Sequence, residues 1–127
     1  MKVLLSIKPE YAEKIFEGTK KYEFRRSVFK NKNIKTVVVY ASSPVQKVIG
    51  EFDIEKIIND DLNRLWSLTK EFSGISKDYF FEYFNNKEKG YAIKIRKTRR
   101  YDKLLSLKDD FNAKPPQSFM YLEKCLV

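Results

Sequence analysis

A glycine stops one element and four cations crowd into the next, in Gly18-Thr19-Lys20-Lys21-Tyr22-Glu23-Phe24-Arg25-Arg26. Upstream, Pro9 suits the first position of a helix. Tyr11, Ala12, Ile15 and Phe16 recur at helical spacing as its apolar face, and Gly18 ends it. Downstream, Lys20 to Arg26 reads as a strand. Alternate side chains of a strand point to opposite faces, so Tyr22, Phe24 and Arg26 share one face and Lys21, Glu23 and Arg25 the other. A face carrying Lys, Glu and Arg in succession makes a poor barrel wall. It suits a polar cleft for an anionic or base-like ligand.

The other segments supply a sheet to hold that strand. Lys2 to Lys8 is rich in Val, Leu and Ile and predicts a strand. Ile34 to Ala41, through Val37-Val38-Val39-Tyr40, is the strongest strand signal and belongs at the centre of the sheet. Lys47 to Ile57 predicts another, with Gly50 at a bulge or a close approach. Leu62, Leu65, Trp66 and Thr69 line a helix that Asp60 or Asp61 would cap and Gly74 would end. Ser76 caps a further helix with Phe80, Tyr83 and Phe84 buried, and Asn85-Asn86 ends it. Tyr91 to Arg99 alternates as a strand, and Leu104 to Leu107 makes a short turn or a helical turn. Pro115-Pro116 blocks regular pairing, and Ser118 to Leu122 completes the sheet. No repeat or low-complexity linker interrupts the chain, which predicts one domain over residues 1–127. The fold class is α+β, mostly β: a small pseudo-β-barrel of about six mainly antiparallel strands with inserted and flanking helices.

Composition removes whole classes of chemistry. The chain has no histidine and one cysteine, Cys125. Zinc sites of the usual kind, Cys-His and Ser-His-Asp nucleophiles, histidine acid–base catalysis and an intrachain disulfide are therefore excluded. Neither a metal nor a cofactor is expected. The lone thiol fits a reducing cytoplasm. No apolar run approaches the roughly 20 residues of a membrane helix, and Met1 to Ser6 does not make a secretory signal. Catalysis would have to run on Lys, Glu, Asp, Thr, Ser or Tyr.

The net charge is +9 and unevenly spread. Residues 20–35 hold seven Lys or Arg against one Glu, and residues 87–103 hold eight against two acids, so the remainder of the chain is slightly acidic. Clustering of this kind faces a polyanion such as nucleic acid, or is simply a solvated basic surface.

Gly18, Lys20, Glu23 and Arg25 are spaced as in the signature of the ASCH domain, a relative of the PUA domain. Ser6-Ile7-Lys8-Pro9, Tyr40-Ala41-Ser42-Ser43-Pro44, Gly50-Glu51-Phe52 and Lys89-Gly90-Tyr91-Ala92-Ile93 also resemble that family, in order along nearly the whole chain. Pro115-Pro116-Gln117-Ser118-Phe119 is similar to a subgroup of predicted transcriptional regulators. The resemblance implies a pseudo-barrel with a cleft beside the first helix and the motif strand, and RNA binding or RNA-linked regulation. A small hydrolase of acetylated cytidine is implied as an alternative, with a Thr, a Lys and a Glu as its catalytic set. The Lys corresponds to Lys20, but Glu23 stands where the Thr belongs, Thr19 is offset wrongly, and Glu51 or Glu55 would have to supply the second carboxylate. A ribonuclease is a further implied activity.

The residues themselves support compatible roles. Lys20 can meet a phosphate as a point charge, and Arg25 can make a two-pronged contact with a phosphate or a base edge. Glu23 can accept from an exocyclic amine or orient its cationic neighbours, or form a structural ion pair with Arg25. Lys20 and Glu23 would be the acid–base pair if the chain is an enzyme. Ser6, Lys8, Arg26, Ser42, Ser43, Gln117 and Ser118 are further candidate ligand contacts, each competing with a plain structural role. Tyr40, Tyr91 and Tyr121 are available for base stacking or for the core. Basic residues from 30 to 35 and from 94 to 100 would extend the footprint of RNA or of a nucleotide, or would protect a sheet edge. A module that binds a protein partner in transcription is a third reading.

Overall fold

The structure, a computed structural model, describes residues 1–123; Cys125 lies outside them. The elements run β1 (Lys2–Ile7), α1 (Pro9–Glu17), β2 (Tyr22–Arg25), β3 (Thr36–Ala41), β4 (Lys47–Asp61), α2 (Leu62–Thr69), a 3₁₀ turn (Lys70–Phe72), α3 (Lys77–Tyr83), β5 (Lys89–Leu105), α4 (Leu107–Phe111) and β6 (Phe119–Leu122). They form an α+β, mostly β fold, as the strand and helix signals predict.

One six-stranded sheet runs in the order β2-β5-β4-β3-β1-β6. β1 and β3 pair in parallel, and the remaining pairings among the described residues are antiparallel. The expected barrel does not close, since β2 and β6 are its two edges. A side chain spans the gap instead of a backbone ladder. Arg25 on β2 donates through Nη1 to the Ser6 carbonyl of β1 at 3.4 Å and through Nη2 to the Ser118 carbonyl, just before β6, at 2.8 Å. The sheet therefore curls until its edges face each other.

The apolar runs of β1 and β3 are near-continuous because both faces are covered. Val3, Leu5 and Ile7 join Val37 and Val39 inside the curl, where Ala12 and Ile15 of α1 fill the centre. Leu4 and Val38 point the other way, towards Leu107 and Leu122. A third cluster places Phe24 and Ala92 against Leu65 of α2, Phe80 of α3 and Phe84 just after it. α2 and α3 start where their caps predict: Asp61 accepts from the Arg64 N–H at 3.0 Å, and Ser76 from the Tyr79 N–H at 3.1 Å. Gly50 marks a close approach, because a Cβ there would lie 2.5 Å from the Arg99 carbonyl oxygen and 2.7 Å from the Phe16 ring.

Two strands are longer than their own patterns predict. β4 continues to Asp61 and β5 to Leu105, where a turn was expected. The two pair with each other from Val48–Leu105 to Asp61–Lys89, with register shifts along the way. Mutual pairing carries polar residues that have weak strand preference of their own. No helix of the described residues is long and apolar enough to cross a membrane.

Candidate functional site

The gap bridged by Arg25 opens into a cavity of about 230 Å³. β2 and the residues before it contribute Lys20, Glu23 and Arg25; the end of β1 contributes Ser6 and Lys8; α1 contributes Tyr11; α3 contributes Tyr79 and Tyr83; and Gln117 closes the rim.

Lys20 is the most unusual member, at 2% exposure. Its Nζ donates to the Ser73 carbonyl at 2.6 Å and lies 4.8 Å from the centre of the Phe24 ring and 5.6 Å from that of Tyr11. Burial lowers its pKa to about 8, against the opposing pull of the Glu23 charge and with a smaller push from Lys14. The cover over its stem comes from the connection between α2 and α3. Gly74 sits there at φ +70°, and a Cβ on it would be 2.7 Å from Cβ and Cγ of Lys20. Only glycine meets both demands, the left-handed backbone and the close approach. Lys14 Nζ donates to the Gly74 carbonyl at 3.1 Å, and the Lys21 N–H to that of Phe72 at 2.8 Å, which fixes the cover in place.

Glu23 is buried, and its Oε2 accepts from Arg25 Nη1 at 3.3 Å. Arg25 Nη2 also reaches Ser118 Oγ at 3.1 Å. The four Nη hydrogens of Arg25 thus have four protein acceptors: Ser6, Glu23, and the carbonyl and hydroxyl of Ser118. The aromatic wall is made of tyrosines. The rings of Tyr11 and Tyr79 are 5.6 Å apart and tilted by 52°, and Tyr79 stacks on Tyr83. Burial first, then the hydrogen bond and charge of Tyr79, push the Tyr11 phenol well above its ordinary pKa. Burial likewise raises Tyr83, whose hydroxyl donates to the Phe24 carbonyl at 3.1 Å. Lys8 stands at the mouth, 3.5 Å from the Tyr79 hydroxyl.

Six of the residues singled out in the sequence line this cavity: Ser6, Lys8, Lys20, Glu23, Arg25 and Gln117. Ser118 touches it through Arg25. Arg26 does not line it; its Nη1 donates to the carbonyls of Tyr83 and Asn85, each at 2.8 Å, and so ties β2 to the end of α3. Ser42 and Ser43 also fall outside the lining, in the turn after β3, where the Ser42 N–H donates to the Ile7 carbonyl at 2.9 Å. That turn follows a strand one place further from the gap. Lys21 does not share the Glu23 face, because β2 begins at Tyr22 and strand alternation does not reach back to it. Its ammonium lies over the Phe72 ring instead.

The acids of the hydrolase alternative are elsewhere. Glu51 is bound by Lys2, Arg99 and Tyr101, and Glu55 by Lys94. Thr19 Oγ1 donates to the Lys14 carbonyl at the end of α1. Tyr40 is core, and the Tyr121 hydroxyl accepts from the N–H groups of Lys30 and Asn31. Sequence reasoning missed Tyr11 and Tyr83 as cavity residues by counting them as apolar stripe, and did not single out Tyr79 at all. Their signal was the phenol itself, since a buried tyrosine hydroxyl needs a polar neighbour.

Residues 5–99 match the model of the ASCH domain. The chain is 32% identical over 126 residues to the ASCH domain-containing ribonuclease of Zymomonas mobilis subsp. mobilis, covering 95% of this chain and 84% of that protein. It is 34% identical over 122 residues to a segment of an ATP synthase subunit alpha, and 28% identical over 121 residues to a segment of a large ribosomal subunit protein uL22, both from Ureaplasma parvum. The chain spans only 15% and 39% of those two proteins. The crystal structure of ASCH from Zymomonas mobilis superposes with a TM-score of 0.89 at 32% identity, over 97% of this chain and 88% of that one. This chain belongs to the ASCH domain family.

Proposed function

We propose that this chain, acting as one domain over residues 1–127, binds single-stranded RNA and cleaves it in the Lys20–Glu23 cavity. The observation that carries the reading is Lys20: a buried ammonium that releases its proton near pH 8, in one cavity with a carboxylate. A lysine that only held a phosphate would gain nothing from burial, whereas a proton donor is most effective when its pKa lies near working pH. The similarity to a protein named as an ASCH domain-containing ribonuclease supports the same class of reaction.

The chemistry needs no histidine. The ribose 2′-oxygen attacks the adjacent phosphorus, and Glu23 takes its proton. The bond from phosphorus to the 5′-oxygen breaks, and Lys20 returns a proton to that oxygen. The products are a 2′,3′-cyclic phosphate and a free 5′-hydroxyl, with protons and charge balanced. The ammonium also offsets the charge that builds on the phosphate in the transition state. Arg25 is assigned the positioning of Glu23 and of the sheet edges, because its Nη hydrogens are already taken. Tyr11 and Tyr79 offer ring faces for one base, an interaction worth roughly 1–3 kcal/mol.

The acetylated-cytidine reading is weaker, since Thr19, next to Lys20, bonds to the end of α1 and neither Glu51 nor Glu55 lines the cavity. A role in transcription rests on the resemblance of residues 115–119 alone; in the fold, Ser118 holds Arg25 and Gln117 closes the rim.

The test is cleavage of a single-stranded RNA oligomer by the wild type, Lys20→Met and Glu23→Gln, with the all-deoxy strand as control. The expected result is cyclic-phosphate ends from the wild type, a loss of at least about 100-fold in either variant, and no cutting of the deoxy strand. Undiminished cleavage in both folded variants would refute the assignment.

A further inference from the structure

A second concavity, of about 1250 Å³, lies between the 27–35 loop and strands β4 and β5. It is larger than the roughly 300–1,000 Å³ of a site for one small molecule. Five cations line it: Lys30, Lys32, Lys35, Lys56 and Arg96. All five are exposed, and none is in an ion pair among the described residues. Its two acids are already neutralised by cations outside the lining, Asp53 by Arg99 and Glu55 by Lys94. The uncompensated charge of the groove is therefore positive.

This outcome divides the basic run of β5 in a way its sequence does not show. Arg99 is spent on Glu51 and Asp53, Arg100 on Glu13 of α1, and Lys94 on Glu55. Of the five lysines and arginines from 94 to 100, Arg96 and Lys97 are in no ion pair among the described residues, and Arg96 lines the groove. The polar neutral lining suits nucleotides as well. Asn31 and Asn59 present amides, and the half-buried Tyr91 presents a ring. The groove also starts beside the cavity. Tyr91 is the cross-strand partner of Arg25, and Ser27 follows Arg25 by two residues.

We infer that this groove carries the phosphate backbone of a single-stranded RNA whose neighbouring nucleotide occupies the Lys20–Glu23 cavity. The inference rests on the RNA reading of that cavity and gives the rest of the strand a place outside it. Cations in a row bind phosphates without regard to sequence, so the groove supplies affinity and length preference, and the cavity supplies the reaction.

The experiment uses the full chain, a fluorescent single-stranded RNA of about 12 nucleotides, and a dinucleotide substrate. Two variants are made at exposed sites: Lys30→Ala/Lys32→Ala/Lys35→Ala, and Lys56→Ala/Arg96→Ala. Each phosphate contact to a single strand contributes about 0.7 to the slope of log affinity against log salt. The triple variant is expected to make that slope shallower by about 2 and the double variant by about 1.4. Dinucleotide cleavage should stay within about twofold of wild type, because neither variant touches the cavity. Unchanged slopes in both variants would overturn the groove. So would tighter binding of duplex RNA of the same length, or preference for a poly-glutamate peptide over the RNA, which would give the groove to another partner. A chain that cleaves no RNA yet shows the two slope changes would sink the cavity chemistry and leave the groove standing.

Discussion

Replacing Lys20 by Met should erase a specific step in the dependence of stability on pH. An unfolded lysine holds its proton to about 10.5, while folded Lys20 gives it up near 8. Between those values the unfolded state binds more protons, so stability rises with pH across the interval. Below about 8 both states are protonated and the cost of the buried charge is constant; above 10.5 neither is, and the cost is gone. A fall of that size corresponds to about 3 kcal/mol. Because Lys20 is almost wholly buried, solvent screening discounts little of it. The assay is urea unfolding, followed by circular dichroism, of the wild type and Lys20→Met at closely spaced pH from neutrality to above 10.5. The variant cancels every other titration, including those of Tyr11 and Tyr83. The wild-type minus variant difference should climb by about 3 kcal/mol across the interval. A flat difference would show that Lys20 titrates as an ordinary surface lysine, and the argument for a proton donor would fail with it.

Other residues make separate claims. Arg25→Met should cost about 3–5 kcal/mol in urea unfolding, since it strands Glu23 and the Ser6 and Ser118 carbonyls at a partly buried seam, whereas Arg26→Met, at an exposed seam, should cost under about 1 kcal/mol. Gly74→Ala should destabilise the fold by more than about 1 kcal/mol and abolish cleavage, because the new methyl displaces the Lys20 stem; an undisturbed variant would show that the cover yields freely. Asp53, held at about 2 chiefly by its hydrogen bonds from Arg99, contributes stability above pH 3.8 that is lost as pH falls towards 2. Asp53→Asn should flatten that acid limb in a thermal melt, and an unaltered limb would place the loss elsewhere.

How far these features can be read before folding depends on how local their causes are. The α1–Gly18–β2 unit is legible because a proline, a stripe of apolar residues and a glycine stop all act within a few turns. The caps of α2 and α3 are legible for the same reason. The motif likewise names Lys20, Glu23 and Arg25, but not their division of labour. Lys20 is buried by Ser73 and Gly74, more than fifty residues away. Arg25 finds Ser118 at a separation of 93 residues, which turns an expected anion contact into a clasp between sheet edges. Strand alternation misplaced Lys21 because the strand starts at Tyr22, two residues later than the pattern implies. The reach of β5 is set by its ladder with β4, so residues that look like a turn alone are held extended by a partner. Charge counting located two basic segments but could not say which cations have acids waiting for them.

The central claim is that Lys20 gives up its proton near pH 8 inside the proposed RNA site. Following the Lys20 Nζ resonance through a pH titration, with and without a 2′-O-methyl RNA that binds but lacks the attacking hydroxyl, measures it directly. The account predicts a midpoint near 8 in the free protein and a higher one with RNA present, as a nearby phosphate favours the ammonium. A midpoint near 10.5, or one near 8 that RNA leaves unmoved, would contradict it.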